Sequence, residues 1–412
     1  MATRSIDTSA ILLREGTGGR AKAGSAPERR TCDTGARFTM ETVDRAGLER
    51  VRDAWKALAG RAAEPNVFYD PDFALPAIHA LGHDADIAAL LVWRSEGGDA
   101  VLTGVFPFLI RKRWGVPIGV GEAFVHPYAM SSAPLVDRDA AEGTVAAFFD
   151  WLDRDGAAPA AWLFRFLPED GPVHEAIAMR AGSARLTRHG AYGRAVLEGD
   201  SLDGGYLDRA IGSKRRKEYR RLRRKLAERG AVTATRADDP ASVRAGVEEF
   251  LALEVSGWKG ERGTAAALSP AIVQMFEEIA AGLSAGRGMR IDALRVDGRP
   301  IAVAASCGEG RNWWLWKIAY DEAFAAYSPG VQLVIEITEA AIAAGDGEHY
   351  DSCALPGIPM IERIWRQRRP YADLLIAPAK LGMLQTATAG LEDTRRGAER
   401  LAKQLLGLVG RR

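Results

Sequence analysis

The sequence predicts an α/β (α+β) protein built from two copies of one unit, each a mixed, mostly antiparallel sheet flanked by helices. Three observations predict it. The apolar patterning from 231 to 377 reads strand, helix, helix, three consecutive strands, helix, strand, helix, strand, and 37 to 197 reads as nearly the same series. Within each copy the apolar period switches between 3.6 and 2, with connections short enough for one compact fold. The copies differ at one chemically telling place. The third central strand of the second runs into Tyr327-Ser328-Pro329-Gly330-Val331, whereas the first continues His126-Pro127-Tyr128-Ala129-Met130.

In the first copy, Arg37 to Val43 reads as a strand, and Gly47 to Ala63 and Asp70 to Leu81 read as helices. Asp86 to Arg94, Val101 to Lys112 and Pro117 to Val125 read as three strands. Asp139 to Asp155 is predicted as helix, Ala161 to Leu167 as strand, Pro172 to Ala181 as helix and Arg185 to Leu197 as strand. Asp203 to Arg229 is a helical connector. In the second copy, Ala231 to Arg236 is a strand and Pro240 to Trp258 a helix, followed by a Gly/Ala-rich loop and a helix that Pro270 opens. Met289 to Val296 and Ile301 to Cys307 form a hairpin turned by Asp297-Gly298. Asn312 to Tyr320 is the third strand; Pro329 to Ala344 helix, His349 to Cys353 strand, Pro359 to Gln367 helix and Tyr371 to Ala377 strand complete the series. These elements set the domain boundaries: a structureless leader over 1–37, units over 38–200 and 231–378 joined by the connector 201–230, and a helical tail over 379–412 docked on the second unit. A chain starting at Met40 is expected to fold unchanged.

Composition narrows the function. With 412 residues, 47% hydrophobic and 26% charged, the chain is an ordinary globular protein rather than a disordered or fibrous one. The longest apolar run, Ile87 to Trp93, is far short of the roughly 20 residues that span a bilayer. Cys32, Cys307 and Cys353 are too few and too scattered for a disulfide framework or a zinc site, which fits a reducing cytoplasm. His79 and His83 have helical spacing but no third ligand nearby, so no metal is expected. The net charge of +1 hides an uneven distribution: Gly212 to Gly230 holds ten Arg/Lys and two Glu, a local +8, leaving 1 − 8 = −7 for the rest. Tyr219, Leu222 and Leu226 give this run a thin apolar stripe, hence a helix with a cationic outer face. That face suits a solvated surface, the phosphates of a cofactor or phosphate-linked acceptor, or tRNA.

The chemistry concentrates in the second copy. A helix N-terminus offers free amides and a positive dipole end to an anion. Tyr327, Ser328, Pro329, Gly330, Val331 and Gln332 form such a turn, with Pro329 presetting the first helical turn and Gly330 admitting close approach of a pyrophosphate. In the preceding strand, strict alternation puts Trp314, Trp316, Ile318 and Tyr320 on one face and Trp313, Leu315, Lys317 and Ala319 on the other. Lys317, a single charge in an apolar strand, must meet a carboxylate or a wet cleft. Glu254 shares a helix face with Trp258 and is the first candidate for a general base; as a bland alternative it is a surface carboxylate. Asp321 and Asp351, at strand ends, are the other two.

Several segments carry a resemblance. Ser213-Lys214-Arg215-Arg216-Lys217-Glu218, Ser256-Gly257-Trp258-Lys259-Gly260 with Gly263-Thr264-Ala265, and Trp316-Lys317-Ile318-Ala319-Tyr320-Asp321-Glu322 with Tyr327-Ser328-Pro329-Gly330 look like the CelD/BcsL branch of GNAT-like acyltransferases. That branch is related to the FemABX aminoacyl-transferases and is associated with cellulose or exopolysaccharide biosynthesis. The resemblance spans about Thr39 to Ala377; it departs from the family pattern in lacking a Lys between Asp351 and Arg363. It implies tandem GNAT-like units, an acyl-CoA donor without metal, and acyl transfer to an amine or hydroxyl of a small-molecule, sugar or peptide acceptor. With that donor, the strand and turn described above give the acyl-CoA side as Lys317, Ile318, Ala319, Tyr320 and the 327–332 turn; His126 and Tyr128, where the first copy departs from the second, and Trp258 and Lys259 are the acceptor-side candidates. Aminoacyl transfer from charged tRNA and a non-catalytic role in polysaccharide assembly are the alternatives.

Overall fold

The computed structural model describes residues 30–34, 36–96, 99–114, 119–256, 266–286, 288–379 and 388–398. The described residues open with the antiparallel pair β1 (Arg30–Thr34) and β2 (Ala36–Val43), then helices α1 (Arg45–Arg50), α2 (Arg52–Gly60) and α3 (Pro71–Ala80). Next come β3 (Ile87–Glu96), β4 (Asp99–Lys112), β5 (Gly119–Ala123), the two-residue β6 (Leu135–Val136), α4 (Ala141–Arg154), β7 (Ala161–Pro168), α5 (Pro172–Ala181) and β8 (Leu186–Leu197). The connector folds as α6 (Tyr206–Ile211) and α7 (Ser213–Ala227). The second series is β9 (Val232–Ala237), α8 (Pro240–Ser256), α9 (Pro270–Ala285), β10 (Met289–Val296), β11 (Arg299–Glu309), β12 (Asn312–Tyr320), α10 (Pro329–Ala344), β13 (His349–Asp351), α11 (Pro359–Glu362) and β14 (Gln367–Ile376). A last helix, α12, covers 388–398.

Local chemistry accounts for most of these bounds. Prolines open α3, α5, α9 and α10, where a missing N–H costs nothing. Asp297 (φ 49°) and Gly298 (φ 79°) both take left-handed conformations, the turn that matches strand twist in the β10–β11 hairpin. The long helix expected over Gly47 to Ala63 breaks at Val51, outside helical geometry at ψ 11°. The strand expected to reach Cys353 stops at Asp351, since Cys353 adopts φ +52° and turns the chain.

The described residues group into two compact units, and the grouping departs from the linear order. Among the described residues the N-terminal unit comprises those from 30 to 69, from 84 to 192 and from 370 to 398; its strands lie in the order β1-β2-β3-β4-β5-β7-β14. The C-terminal unit comprises 70–83 and 193–369, with the strand order β8-β13-β12-β11-β10-β9. Each sheet is antiparallel except for one parallel pair, β5 with β7 and β12 with β13. The copies thus trade their last strands. Tyr371–Ile376 of β14 pairs with β7, and Val196 and Leu197 of β8 pair with β13.

Helix α3, read from sequence as part of the first copy, also belongs to the C-terminal unit. Its Phe73, Ala74, Leu75, Ala77 and Ile78 are all buried, and Phe73 meets Trp316 edge-on at 5.3 Å. Gly282 of α9 lets it approach, because a Cβ there would lie 2.7 Å from the Asp72 Cβ. Periodicity specifies that such a helix is buried; it does not name the partner.

The ends of the chain differ from expectation as well. Arg30–Thr34, inside the stretch read as leader, is paired as β1, and Phe38 is buried in the N-terminal core with Phe106, Phe148 and Trp162. A chain starting at Met40 therefore loses a core side chain, whose truncation typically costs about 3–5 kcal/mol. The tail helix α12 docks on the N-terminal unit, not the second. Its Glu392, fully buried, accepts from Arg113 Nε (2.9 Å) and Trp114 Nε1 (3.1 Å).

Candidate active site

In the C-terminal unit the third central strand separates from its neighbour. β12 and β13 pair in parallel only at Asn312↔His349, Trp313↔Tyr350 and Trp314↔Asp351. β12 then runs on to Tyr320 against β11 alone, and among the described residues no strand covers its other edge beyond Trp314. A backbone edge left open inside a sheet presents N–H and C=O groups that must find partners outside the ladder.

A bulge at Trp316 changes which side chains line that strand. Ala305 pairs with Lys317 while Ser306 pairs with Leu315, so Trp316 is the extra residue and the alternation shifts by one. Trp313, Leu315, Ile318 and Tyr320 consequently join the core beneath α10, whereas Trp316 packs oppositely, stacked on Phe276 at 4.5 Å. The expected set Trp314, Trp316, Ile318, Tyr320 does not share a face. Lys317 is half-buried, and its charge acts on the nearby Cys353 thiol.

The turn before α10 is built to leave amides available. Ser328 sits at the N-cap in the left-handed region (φ 53°, ψ 53°), and its hydroxyl makes no capping bond. A serine N-cap normally uses extended geometry to cap its own helix. The first intrahelical bond runs from Gln332 N–H to Ser328 O, so the N–H groups of Gly330 and Val331 have no intrahelical acceptor. No acidic residue lies in this first turn. Gln332 Nε2 donates to Tyr327 O at 2.7 Å and holds the turn closed. The reason for glycine at 330 differs from the expected one: a Cβ would lie 2.6 Å from Met360 Sδ and 3.5 Å from Tyr320 Cδ1, so Gly330 makes room for α11 and β12. Pro329 and Gly330 are buried, while Ile318, Tyr320, Tyr327, Val331 and Met360 form a half-exposed apolar wall around them. Burial, with Glu322 nearby, raises the Tyr320 phenol, so it stays protonated at neutral pH.

The three candidate carboxylates are all buried, but in different company. Asp321 Oδ1 accepts from Ala323 N–H at 2.9 Å and its Oδ2 pairs with Arg299 at 2.6 Å, which makes it a helix cap. Asp351 Oδ1 accepts from Cys353 N–H at 2.7 Å, and the carboxylate pairs with the fully buried Arg194 of the exchanged strand β8 at 3.4 Å. Glu254 is buried, not a surface carboxylate, and its Oε2 accepts from Ala266 N–H at 2.8 Å. It lies one turn past Phe250, which leads through Phe276 to Trp316 of β12. The Cys353 thiol is no nucleophile: burial first, then Asp351, push it well above its ordinary range.

Trp258 and Lys259 lie outside the described residues. His126 and Tyr128 belong to the N-terminal unit, where His126 is buried and its Nδ1 accepts from Tyr128 N–H at 3.3 Å, which places the neutral ring's proton on Nε2. Sequence reasoning missed Arg194 and Met360. Arg194 reaches Asp351 only through the strand exchange, which leaves no local signal. Arg223, read from sequence only as one of the cations of the basic run, is half-buried, pairs with Glu336 at 2.8 Å and reaches Gln332 Oε1 at 3.4 Å, so α7 packs beside the first turn of α10.

Residues 213–355, from the start of α7 to just past β13, match the acetyltransferase (GNAT) domain family. No curated protein sequence matches the chain. Among solved structures, FemX superposes with a TM-score of 0.53 at 13% identity, covering 81% of this chain and 98% of that one. The C-terminal domain of an Agrobacterium fabrum protein assigned as a lysylphosphatidylglycerol synthetase gives 0.49 at 12%, covering 82% and 95%. A tandem GNAT protein of the clavulanic acid biosynthesis pathway gives 0.38 at 13%, covering 83% and 99%. The fold class read from sequence is the observed one, and the GNAT match over 213–355 indicates an acyltransferase.

Proposed function

We propose that the protein is an acyl-CoA-dependent acyltransferase whose C-terminal unit holds the donor and transfers its acyl group to an amine or hydroxyl. The observation that carries this reading is the open edge of β12 beside the uncapped first turn of α10. The amides of Gly330 and Val331 would receive the pyrophosphate, and the apolar wall of Ile318, Tyr320 and Val331 would pack the pantetheine arm. Backbone N–H groups on the free edge of β12 would hold the thioester oxygen as negative charge develops on it.

Transfer then needs one base. Glu254 takes that role: it is buried on α8 one turn past Phe250, whose ring leads through Phe276 to Trp316 of the open strand. The acceptor's lone pair attacks the thioester carbonyl, its proton passes to Glu254 directly or through water, and the C–S bond breaks with the electron pair leaving on sulfur. The thiolate takes up a proton, for which the Tyr320 hydroxyl is a suitable donor. We assign the acceptor side to His126, Tyr128, Trp258 and Lys259; replacing His126 or Tyr128 should lower kcat/KM for the acceptor without changing acyl-CoA affinity. Use in cellulose or exopolysaccharide assembly belongs to the same proposal.

The test is calorimetric titration with acetyl-, succinyl- and long-chain acyl-CoA beside Gly330→Val. The valine pushes on Met360 and displaces the turn, so affinity should fall at least about tenfold, about 1.4 kcal/mol, with the fold kept by circular dichroism. Unchanged binding in the folded variant would remove the central claim. Similarity to FemX in fold, together with the cationic α7, favours one second reading, aminoacyl transfer from charged tRNA. Salt-sensitive tRNA binding without acyl-CoA binding would select it.

A further inference from the structure

We propose that the outer face of α7 is a docking surface for a bilayer containing anionic phospholipid. The helix segregates its residues sharply. At about 100° per residue, Lys214, Lys217, Arg220, Arg221, Arg224 and Lys225 fall within an arc of about 140° and extend over about 16 Å. All six are exposed, whereas Leu222 and Leu226 on the other side are buried and Tyr219 is half-buried against the core. The flanking arginines are neutralised: Arg216 pairs with Asp208 and Arg223 with Glu336. On the outer face only Arg221 has a carboxylate partner, Glu218 at 2.6 Å; the other five have none within ion-pair distance among the described residues.

Two observations favour a bilayer over a polynucleotide. The face carries no ring to stack on bases: its one aromatic, Tyr219, packs inward, and the exposed large apolar residues among those described are Met179, Val255 and Leu268, none on α7. The charge is also one-sided, +8 over 212–230 against −7 for the remainder. Cations gathered on one helix face of a chain whose remainder is net negative favour contact with an extended anionic plane at that face alone, whereas a polynucleotide followed further along the chain would meet net negative charge. With nothing apolar to insert, docking is Coulombic and reversible, and each basic residue near such a membrane adds an independent increment. Because Arg223 ties α7 to the first turn of α10, docking would hold the candidate site at the membrane. The inference does not depend on which donor that site binds.

Flotation of the full chain with phosphatidylcholine vesicles, and with vesicles containing about one-third phosphatidylglycerol, tests it at low salt and at roughly 0.5 M salt. The parent should bind only the anionic vesicles and only at low salt. Changing the six residues together to Gln should weaken partition on the order of a hundredfold or more, while the lysine-only variant R220K/R221K/R224K, which keeps every charge, should bind as the parent does. No binding to anionic vesicles, equal binding to both kinds, or failure of the lysine-only variant would overturn the proposal. So would bulk RNA that binds the parent more tightly than the vesicles and displaces it from them. Acyl-CoA titration without vesicles separates the remaining outcome: retained affinity in the six-Gln variant supports a docking role, and lost affinity assigns the cations to the cofactor instead.

Discussion

The parallel pair recurs in both units, but the chain beyond it is used differently in each. In the N-terminal unit β5 and β7 pair over Val120–Glu122, and the chain there carries an ion-pair network: Glu122 meets Arg165 at 3.5 Å and Arg113 at 3.2 Å, and Asp373 accepts from Phe166 N–H at 2.9 Å. Helix α12 closes over this network through Glu392, which Arg113, Arg395 and Arg396 hold. In the C-terminal unit the matching pair opens, and the next helix begins without an acid in its first turn. The N-terminal counterpart α4 begins with Glu142 in that turn and the buried Asp137 three residues before its cap. One topology thus gives a helix start whose dipole is already answered by carboxylates and another whose dipole is left for an outside anion. The difference predicts where binding and catalysis lie.

The largest effect should come from Glu254→Gln. If it is the base, kcat should fall about a hundredfold or more, in line with the usual worth of general base catalysis, while acyl-CoA affinity stays within about twofold. A comparable kcat would transfer the role to water or to another group. In the N-terminal unit the counterpart is Glu392→Gln. Burial opposes the charge on Glu392, but its hydrogen bonds to Arg113 and Arg395 outweigh it and hold the carboxyl far below its ordinary range. A depressed carboxyl contributes stability that is complete above the ordinary glutamate value, about pH 4.3, and lost as pH falls towards the folded value. Amide protection over 388–398, taken relative to the intrinsic exchange rate at each pH, should therefore fall below about pH 4.3 in the parent. In the variant exchange should be faster at neutral pH by on the order of a hundredfold, as breaking a buried pair costs about 3 kcal/mol, without loss of acyl-CoA affinity. Protection that ignores pH would show that the contact does not secure the helix.

Much of this was legible in the sequence, for local reasons. Proline at N1, the Asp297-Gly298 turn and the shift of apolar period mark elements wherever they fall, and the Ser328-Pro329-Gly330 turn was visible as a helix start behind three strands. What was not legible is non-local. The apolar content of α3 and β14 says that they are buried, yet each completes the other copy's layers, because two similar half-sheets offer nearly interchangeable neighbours. The Trp316 bulge escaped because Trp313 to Trp316 are all apolar, so alternation has no marker where it shifts. Asp321 looked like an acid at a strand exit; it caps the short helix Glu322–Tyr327 through Ala323 N–H, and only its second contact, Arg299 on the neighbouring strand, is non-local.

A smaller effect should come from copying one helix start onto the other. Val331→Glu gives the first turn of α10 the acid that α4 carries at Glu142. The carboxylate would answer the helix dipole and repel an incoming phosphate, and such terms are worth about 0.3–1 kcal/mol at a half-exposed site. Acyl-CoA affinity should weaken about fivefold, more at low salt than at high salt. A salt-independent loss would instead indicate displaced packing, and no loss would place the phosphates elsewhere.

The smallest effect is the reverse change, Glu142→Gln in α4. If a bare helix start were sufficient, removing this acid should create a second acyl-CoA site in the N-terminal unit. It should not, because the rest of that turn is already committed. Asp137, 2% exposed, pairs with Arg61 at 2.7 Å and accepts from Asp139 N–H at 3.0 Å, and its carbonyl takes the Ala140 N–H at 3.1 Å. Its charge persists beside the helix start after Glu142 is gone, and Glu122, the last residue of β5 paired with β7, is itself held in an ion pair with Arg165. Titration of the variant should give one site per chain with an affinity within about twofold of the parent, since the first turn of a different helix is altered. A second site would mean that helix polarity alone selects the donor, and that the open edge of β12 is not required to bind it.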